Sequence, residues 1–247
     1  MQKIILILIL LKYTGLYSIK PVKPYLQTPI DYGLSYKDTL LKTIDGSNIS
    51  VWIISQDSSK GTYMLAYGDA GNKSCLLYQA YYFYSQGYNI VLFDYRGFGG
   101  SSDFKHQENF LYHSEYFEDF KTVYHFSKSL TNKLRIYAIS MGTIFASRIP
   151  SDSNDIHIYD SPVLDCKFAK KMLKKEKSIN LKCPNISKIN VHENIIIIYG
   201  KNDFLVKESD IILFCKHGNF LVYYNNFGHL EALNFMGSKY FELINSF

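Results

Sequence analysis

The order of apolar and polar segments predicts an α/β domain built on a mainly parallel eight-stranded sheet with helices on both faces. Three observations carry that expectation. Runs at 62–67, 90–94, 134–139, 156–160, 195–199 and 220–224 are short and apolar or β-branched, as buried strands are. Segments with helical spacing lie between several of them. Ser140, Asp203 and His229 each sit just beyond one of the strand-like runs, in that order along the chain.

The elements follow from the N-terminus. Residues 1–20 read as a hydrophobic leader: Lys3, then residues 4–11 without a polar side chain, then Lys12. Eight apolar residues are too few to cross a bilayer, which takes about 20. They suit the core of a signal peptide or an anchor, and a buried N-terminal strand or helix is the alternative. The following stretch has no Ala-x-Ala cleavage site and no cysteine for lipid attachment. Pro21, Pro24 and Pro29 mark residues 21–30 as an extended linker, which leaves 31–247 as the main domain. Strands at 36–43 and 48–54 flank Ile44-Asp45-Gly46-Ser47, a hairpin signal. The strand at 62–67 precedes a helix at 74–86 that Gly87 ends, and the strand at 90–94 follows. Residues 108–130 carry Tyr112, Tyr116, Phe120 and Tyr124 at helical spacing, which predicts a core-facing stripe. The strand at 134–139 runs into a helix from Ser140 to about residue 148. After the strands at 156–160, 195–199 and 220–224, one helix over 231–244 closes the chain.

At 247 residues the chain can bury the core of one large domain. Its net charge of +5 does not signal a nucleic-acid partner. Of 27 basic residues only Arg96, Arg135 and Arg148 are arginine, the residue that pairs bidentately with phosphates and bases. Cys75, Cys166, Cys183 and Cys215 show neither a CxxC pair nor zinc-like spacing. Cys166 and Cys183 flank one insertion and are the pair best able to bridge in an exported chain; four separate buried thiols are the alternative. The stretch from Gly68 to Ser74 follows a strand but lacks the adjacent Gly-Lys and the glycine spacing of a phosphate-binding loop, so nucleotide binding is not expected.

Ala138-Ile139-Ser140-Met141-Gly142 places a serine between small residues where a strand turns into a helix. Such a turn lifts the hydroxyl above the sheet, and a neighbouring base must take its proton before it can attack. Of seven histidines only His229 lies between the last strand and the last helix. Together these features resemble the α/β-hydrolase family of serine hydrolases, over roughly residues 30–247. The resemblance implies an α/β-hydrolase fold with a short cap, Ser140 as nucleophile, His229 as base and Asp203 as the acid that orients the imidazole. Tyr199-Gly200-Lys201-Asn202-Asp203-Phe204-Leu205-Val206 is similar to the family's G-x-x-D-x-x-V turn, which favours Asp203 over Asp160, where some relatives carry the acid. The implied oxyanion hole uses the backbone N–H groups of Met141 and Asp69. Asp69 lies in Tyr67-Gly68-Asp69-Ala70-Gly71-Asn72, similar to His-Gly-Asn-Ala-Gly-Asn in relatives. Asp94-Tyr95-Arg96-Gly97-Phe98-Gly99-Gly100-Ser101-Ser102 looks like the family's D-Y-R-G-x-G-x-S signature, with Asp94 and Arg96 expected to hold loops.

About thirty residues after Asp160 form the expected cap, rich in lysine: Lys167, Lys170, Lys171, Lys174, Lys175 and Lys177, with Phe168, Met172 and Leu173 among them. A solvated helix face and a basic surface for anionic lipid are both open readings. The expected function is a serine hydrolase cleaving carboxylic ester or thioester bonds through an acyl-enzyme, similar to the lysophospholipase-like and deacylase-like branch. Its partners would be a small acyl ester or thioester and an anionic membrane surface, with no nucleic acid. No metal or organic cofactor is implied. The leader implies an exported or membrane-anchored protein. The rivals are a non-catalytic member that uses the fold for binding, and a small serine aminopeptidase with the same catalytic residues.

Overall fold

Long runs of Ile, Val and Tyr can form strands without polar alternation only where both faces of a sheet are covered. A computed structural model shows this arrangement for residues 19–107, 110–150, 152–184, 186–216 and 218–247, the residues it describes. The strands are β1 (Lys20–Pro21), β2 (Lys37–Lys42), β3 (Asn48–Ile54), β4 (Thr62–Ala66), β5 (Ala70–Gly71), β6 (Asn89–Phe93), β7 (Leu134–Ile139), β8 (Ile156–Asp160), β9 (Asn194–Gly200) and β10 (Asn219–Asn225). The helices are α1 (Leu77–Ser85), α2 (Glu115–Leu130), α3 (Met141–Ala146), α4 (Cys166–Lys177), α5 (Glu208–Phe214), α6 (Ala232–Met236) and α7 (Ser238–Asn245).

Eight strands make one sheet in the order β10-β9-β8-β7-β4-β6-β3-β2. The pairings are parallel except β2 with β3 and β3 with β6. The eight-stranded, mainly parallel sheet is therefore as expected. In β9, next to the edge strand, Ile195, Ile196, Ile197 and Ile198 are all fully buried. Register separates the two covering layers. Tyr63 is level with Ile90 and Met64 with Val91, so Tyr63 and Phe93 point to opposite faces. Phe83 of α1 stacks on Tyr63 and meets Phe241 of α7. Phe120 of α2 meets Phe93 and also Phe145 of α3. Thus α1 and α7 cover one face and α2 and α3 the other.

Several boundaries differ from expectation. Helix α2 starts at Glu115, so Tyr112 lies before it; the first turn carries Glu115 and Glu118, which favour a helix start there. Residues 108–109 lie outside the described residues. Tyr116, Phe120, Val123, Tyr124 and Ser127 form its buried stripe. The helix expected over 231–244 is two helices, broken at Gly237 with φ of +58°, a conformation open to glycine. The helix expected from residue 74 opens as a 3-10 turn, Lys73–Leu76.

The leader falls mostly on residues 1–18, outside the described residues. Its last two residues belong to the domain: Ile19 is buried, and β1 pairs in parallel with β5. The stretch expected as a linker, 21–30, lies against the domain, with Tyr25 tilted on Trp52 at 4.6 Å. No helix among the described residues is long and apolar enough to cross a membrane.

Cys166 and Cys183 are joined in a disulfide, while Cys75 and Cys215 are free. The bridge ties the first residue of α4 to the segment that returns toward β9. A loop of 17 residues closed in this way stabilises by about 3 kcal/mol through the unfolded chain. Replacing both cysteines (Cys166→Ser with Cys183→Ser) should lower Tm by roughly 6–12 °C. A thermal melt that does not move would show that the bridge constrains nothing.

Candidate active site

The turn between β7 and α3 is strained. Ser140 has φ of +49° and ψ of −115°, a conformation that a non-glycine residue holds only where its surroundings enforce it. Three contacts do so. Ser140 N–H donates to the Asp160 carbonyl at 3.1 Å. The Ser140 carbonyl accepts from Thr143 Oγ1 at 2.6 Å, and Thr143 Oγ1 in turn accepts from Val163 N–H. Gly142 lies against the end of β4: a Cβ there would stand 2.7 Å from the Ala66 carbonyl oxygen. Position 142 therefore has to be glycine for the helix to start so close to the sheet. Ala138, one turn earlier, is fully buried, and its methyl is accommodated inside β7.

His229 reaches the turn from the loop after β10. Its Nε2 is 2.9 Å from Ser140 Oγ, and its Nδ1 is 2.7 Å from Asp203 Oδ2. With Nδ1–H donated to Asp203, Nε2 is left to accept the serine hydroxyl. The Asp203 side chain is fully buried in the loop after β9, and its other oxygen accepts from Leu205 N–H. Asn202 N–H donates to the Phe227 carbonyl, which joins the acid loop to the histidine loop. Burial favours the neutral imidazole, but the hydrogen bond and charge of Asp203 outweigh it, helped by Asp69 and Asp160. The net effect raises the His229 pKa above its ordinary value.

Asp160 does not bond to His229. It accepts from Tyr240 Oη at 2.6 Å and from Ser161 Oγ at 2.9 Å, and burial raises its pKa. Ser161, which the sequence offers only as the neighbour of Asp160, has a role that no motif marks. Its Oγ accepts from Leu230 N–H at 2.9 Å and so holds the residue next to His229, which itself has φ of +63°. Asp160 thus supports the site at one remove, through Ser161.

Ser140, Met141, Asp69 and His229 line one cavity together with Leu111, Ile144, Val163, Ala169, Leu173, Leu205 and Leu230. Apart from the polar groups of Asp69, Ser140 and His229, its walls are apolar. Helix α4 supplies Ala169 and Leu173 and so acts as part of the roof. Asp69 faces this cavity too; burial raises its pKa, opposed by the charges of His229 and Lys20. Gly68 backs onto the serine, since a Cβ there would stand 3.5 Å from Ser140 Cβ. The structure therefore brings all five expected site residues to one place. Among the described residues no cluster of His, Cys, Asp or Glu has the makings of a metal site.

Asp94 and Arg96 hold loops as expected. Asp94 accepts from Lys73 N–H at 2.7 Å and pairs with Lys73 Nζ at 3.1 Å. Arg96 lies between Asp119 and Asp45.

The sequence model of the serine aminopeptidase S33 family matches residues 57–187, more than half of the chain. The chain belongs to this family of α/β hydrolases. Solved structures of similar fold include an esterase from Pyrococcus furiosus, 18% identical over 94% of this chain and 97% of that one, with a TM-score of 0.75. An esterase from Exiguobacterium antarcticum is 14% identical over 85% and 99%, at 0.62. An α/β hydrolase from a Penicillium species is 14% identical over 86% and 96%, at 0.61. No curated protein sequence matches the chain.

The acid assignment has a direct spectroscopic check. Nitrogen-detected NMR of His229 should give an imidazole pKa above about 6.5. Asp203→Asn should lower it, and Asp160→Asn should lower it less, because only Asp203 bonds to the ring. The opposite ranking would make Asp160 the partner.

Proposed function

We propose that the protein is a serine hydrolase that cleaves carboxylic esters or thioesters of apolar acyl groups through an acyl-enzyme. The observation that carries this reading is the Ser140-His229-Asp203 chain of hydrogen bonds opening into an aliphatic cavity. Ser140 Oγ attacks the acyl carbonyl as its proton passes to His229 Nε2. The N–H groups of Met141 and Asp69 hold the oxyanion. The bond to the leaving alcohol or thiol then breaks, and His229 returns the proton to that group. Water, activated by the same imidazole, attacks the acyl carbon, and the acid departs with Ser140 restored. Asp203 fixes the imidazole tautomer throughout.

Amide cleavage by a small aminopeptidase would use the same residues, and one observation favours it: Asp69 is an acid in the cavity lining, able to hold a substrate ammonium. Parallel assays on p-nitrophenyl acyl esters and aminoacyl p-nitroanilides decide between the two.

Ser140→Ala should abolish labelling by a fluorophosphonate probe and lower ester turnover by several orders of magnitude. Asp203→Asn should cost on the order of 10⁴-fold by favouring the wrong tautomer. Because His229 must be neutral to act as base and its pKa is raised, turnover should fall with pH through a midpoint above about 6.5. Undiminished turnover in Ser140→Ala would reject the triad assignment, whereas a full-length chain that neither takes the probe nor turns over an ester would leave only a binding role.

The reading extends to a lipid surface. Lys167, Lys171, Lys174, Lys175 and Lys177 are exposed on α4, while Ala169 and Leu173 of the same helix line the cavity. An anionic bilayer would thus lie next to the place where acyl chains enter. Full-length protein should bind anionic vesicles, and neutralising Lys171, Lys174 and Lys175 should weaken that binding at low salt while leaving unchanged whatever binding survives high salt. If those substitutions leave low-salt binding unchanged, the lysines are a solvated face only.

A further inference from the structure

We propose that residues 19–25 form a positioning strap for the oxyanion loop, so that full turnover requires this segment to be docked. The inference rests on the proposed role of the Asp69 N–H and adds to it the device that sets its orientation.

The loop 68–72 has glycine at both 68 and 71. What holds it comes from the N-terminal side of the chain. Lys20 N–H donates to the Asp69 carbonyl at 2.8 Å, and Val22 N–H donates to the Gly71 carbonyl at 2.9 Å. The Asn72 side-chain amide donates back to the Val22 and Pro24 carbonyls, each at 3.0 Å. With the Asp69 carbonyl anchored on the strap and Gly68 backed onto Ser140, the amide between them has little room to turn. A backbone donor of this kind stabilises an oxyanion only if its direction is set before the reaction.

The strap is itself fixed at both ends. Ile19 is buried in the core. At the other end the Tyr25 hydroxyl donates to Asp94, and it accepts from Gly100 N–H at 2.7 Å and from Lys73 Nζ at 2.9 Å. The Lys73 ammonium lies over the rings of both Tyr25 and Trp52, 4.9 and 4.5 Å from their centroids. Undocking the strap would therefore uncover a buried cation whose other neighbours are Asp94 and Ser50. The cost of doing so keeps the strap in place and links it to the loop after β6 as well as to the loop after β4.

The test uses two substitutions in the full-length chain. Lys20→Pro removes the N–H that holds the Asp69 carbonyl. Asn72→Asp keeps the oxygen that accepts from Ser74 N–H but puts a second oxygen opposite the two strap carbonyls. Since loss of one oxyanion donor costs about 10²–10³-fold, each variant should lose roughly 10- to 100-fold in kcat on a p-nitrophenyl ester, with KM within about twofold. Affinity for a boronic acid that mimics the tetrahedral intermediate should weaken by a similar factor, with Tm little changed. Retention of kcat within about twofold in both variants overturns the proposal. So does a parallel decline of kcat, KM and Tm, which would assign the strap to stability alone. A full-length chain inert to every ester sinks the hydrolase reading as well, whereas an active chain with strap-independent turnover sinks only this one.

Discussion

Parallel pairing of β4, β7, β8 and β9 is the constraint on which the rest depends. It puts the carboxyl ends of these strands on one edge of the sheet, so the loops that follow them converge. Asp69, Ser140, Ser161 and Asp203 come from those four loops in turn, and β10, parallel to β9, delivers His229 to the same edge. A change of register by one residue anywhere in this set would turn a side chain to the opposite face. The cross-links between neighbouring loops keep this from happening: Ser140 N–H to Asp160, Ser161 N–H to Ile198, and Asn202 N–H to Phe227.

Charge is buried beneath these loops in two ion-paired groups, Lys73 with Asp94 and Arg96 with Asp119 and Asp45. Lys73 and Asp94 have no exposed side-chain surface, and Asp119 has none beside Arg96. Burial lowers the Lys73 pKa while Asp94 raises it, and burial lifts Asp119 to about 6 against the pull of Arg96. Taking such ions out of water costs several kcal/mol each, which a well-formed pair only approximately returns. Their value lies in geometry: Asp94 accepts from backbone N–H groups at both Lys73 and Gly100, so the loops after β4 and β6 cannot shift independently. Arg96 similarly joins the hairpin at Asp45 to α2 at Asp119.

What the sequence made legible was local. Ser140 lies in a pentapeptide whose small residues announce the turn, and Asp203 and His229 each follow an apolar strand within a few residues. Most of the eight strands were legible for the same reason, as short apolar runs such as 195–198, and β2 and β3 by the hairpin signal at 44–47. Two of the missed features depend on partners distant in sequence, and two are helix boundaries set by local residues. Nothing in residues 21–25 says that their backbone pairs with residues 69–72, almost fifty positions on. Ser161 carries no motif, and its value comes from Leu230 N–H, 69 residues away. Tyr112 has the right spacing for α2, yet the acidic first turn at Glu115 starts the helix after it. The break at Gly237 had a signal, a glycine within a helical pattern, that spacing alone overrode.

The arrangement of acids around His229 sets two demands against each other. In the proposed reaction the imidazolium and the oxyanion develop together. Asp203, Asp69 and Asp160 all favour the imidazolium, which is why the histidine pKa is raised. The same negative charges oppose an oxyanion, and the opposition grows as distance shortens. Asp203 bonds to the ring nitrogen opposite the one that faces Ser140, Asp160 bonds to Tyr240 and Ser161, and neither lines the cavity. Asp69 is different, because it lines the cavity itself. In the proposed reaction its backbone N–H would help the oxyanion and its carboxylate would hinder it. Burial lessens the conflict by favouring the protonated carboxyl. A substrate that brings its own cation or hydrogen-bond donor to Asp69 would lessen it further.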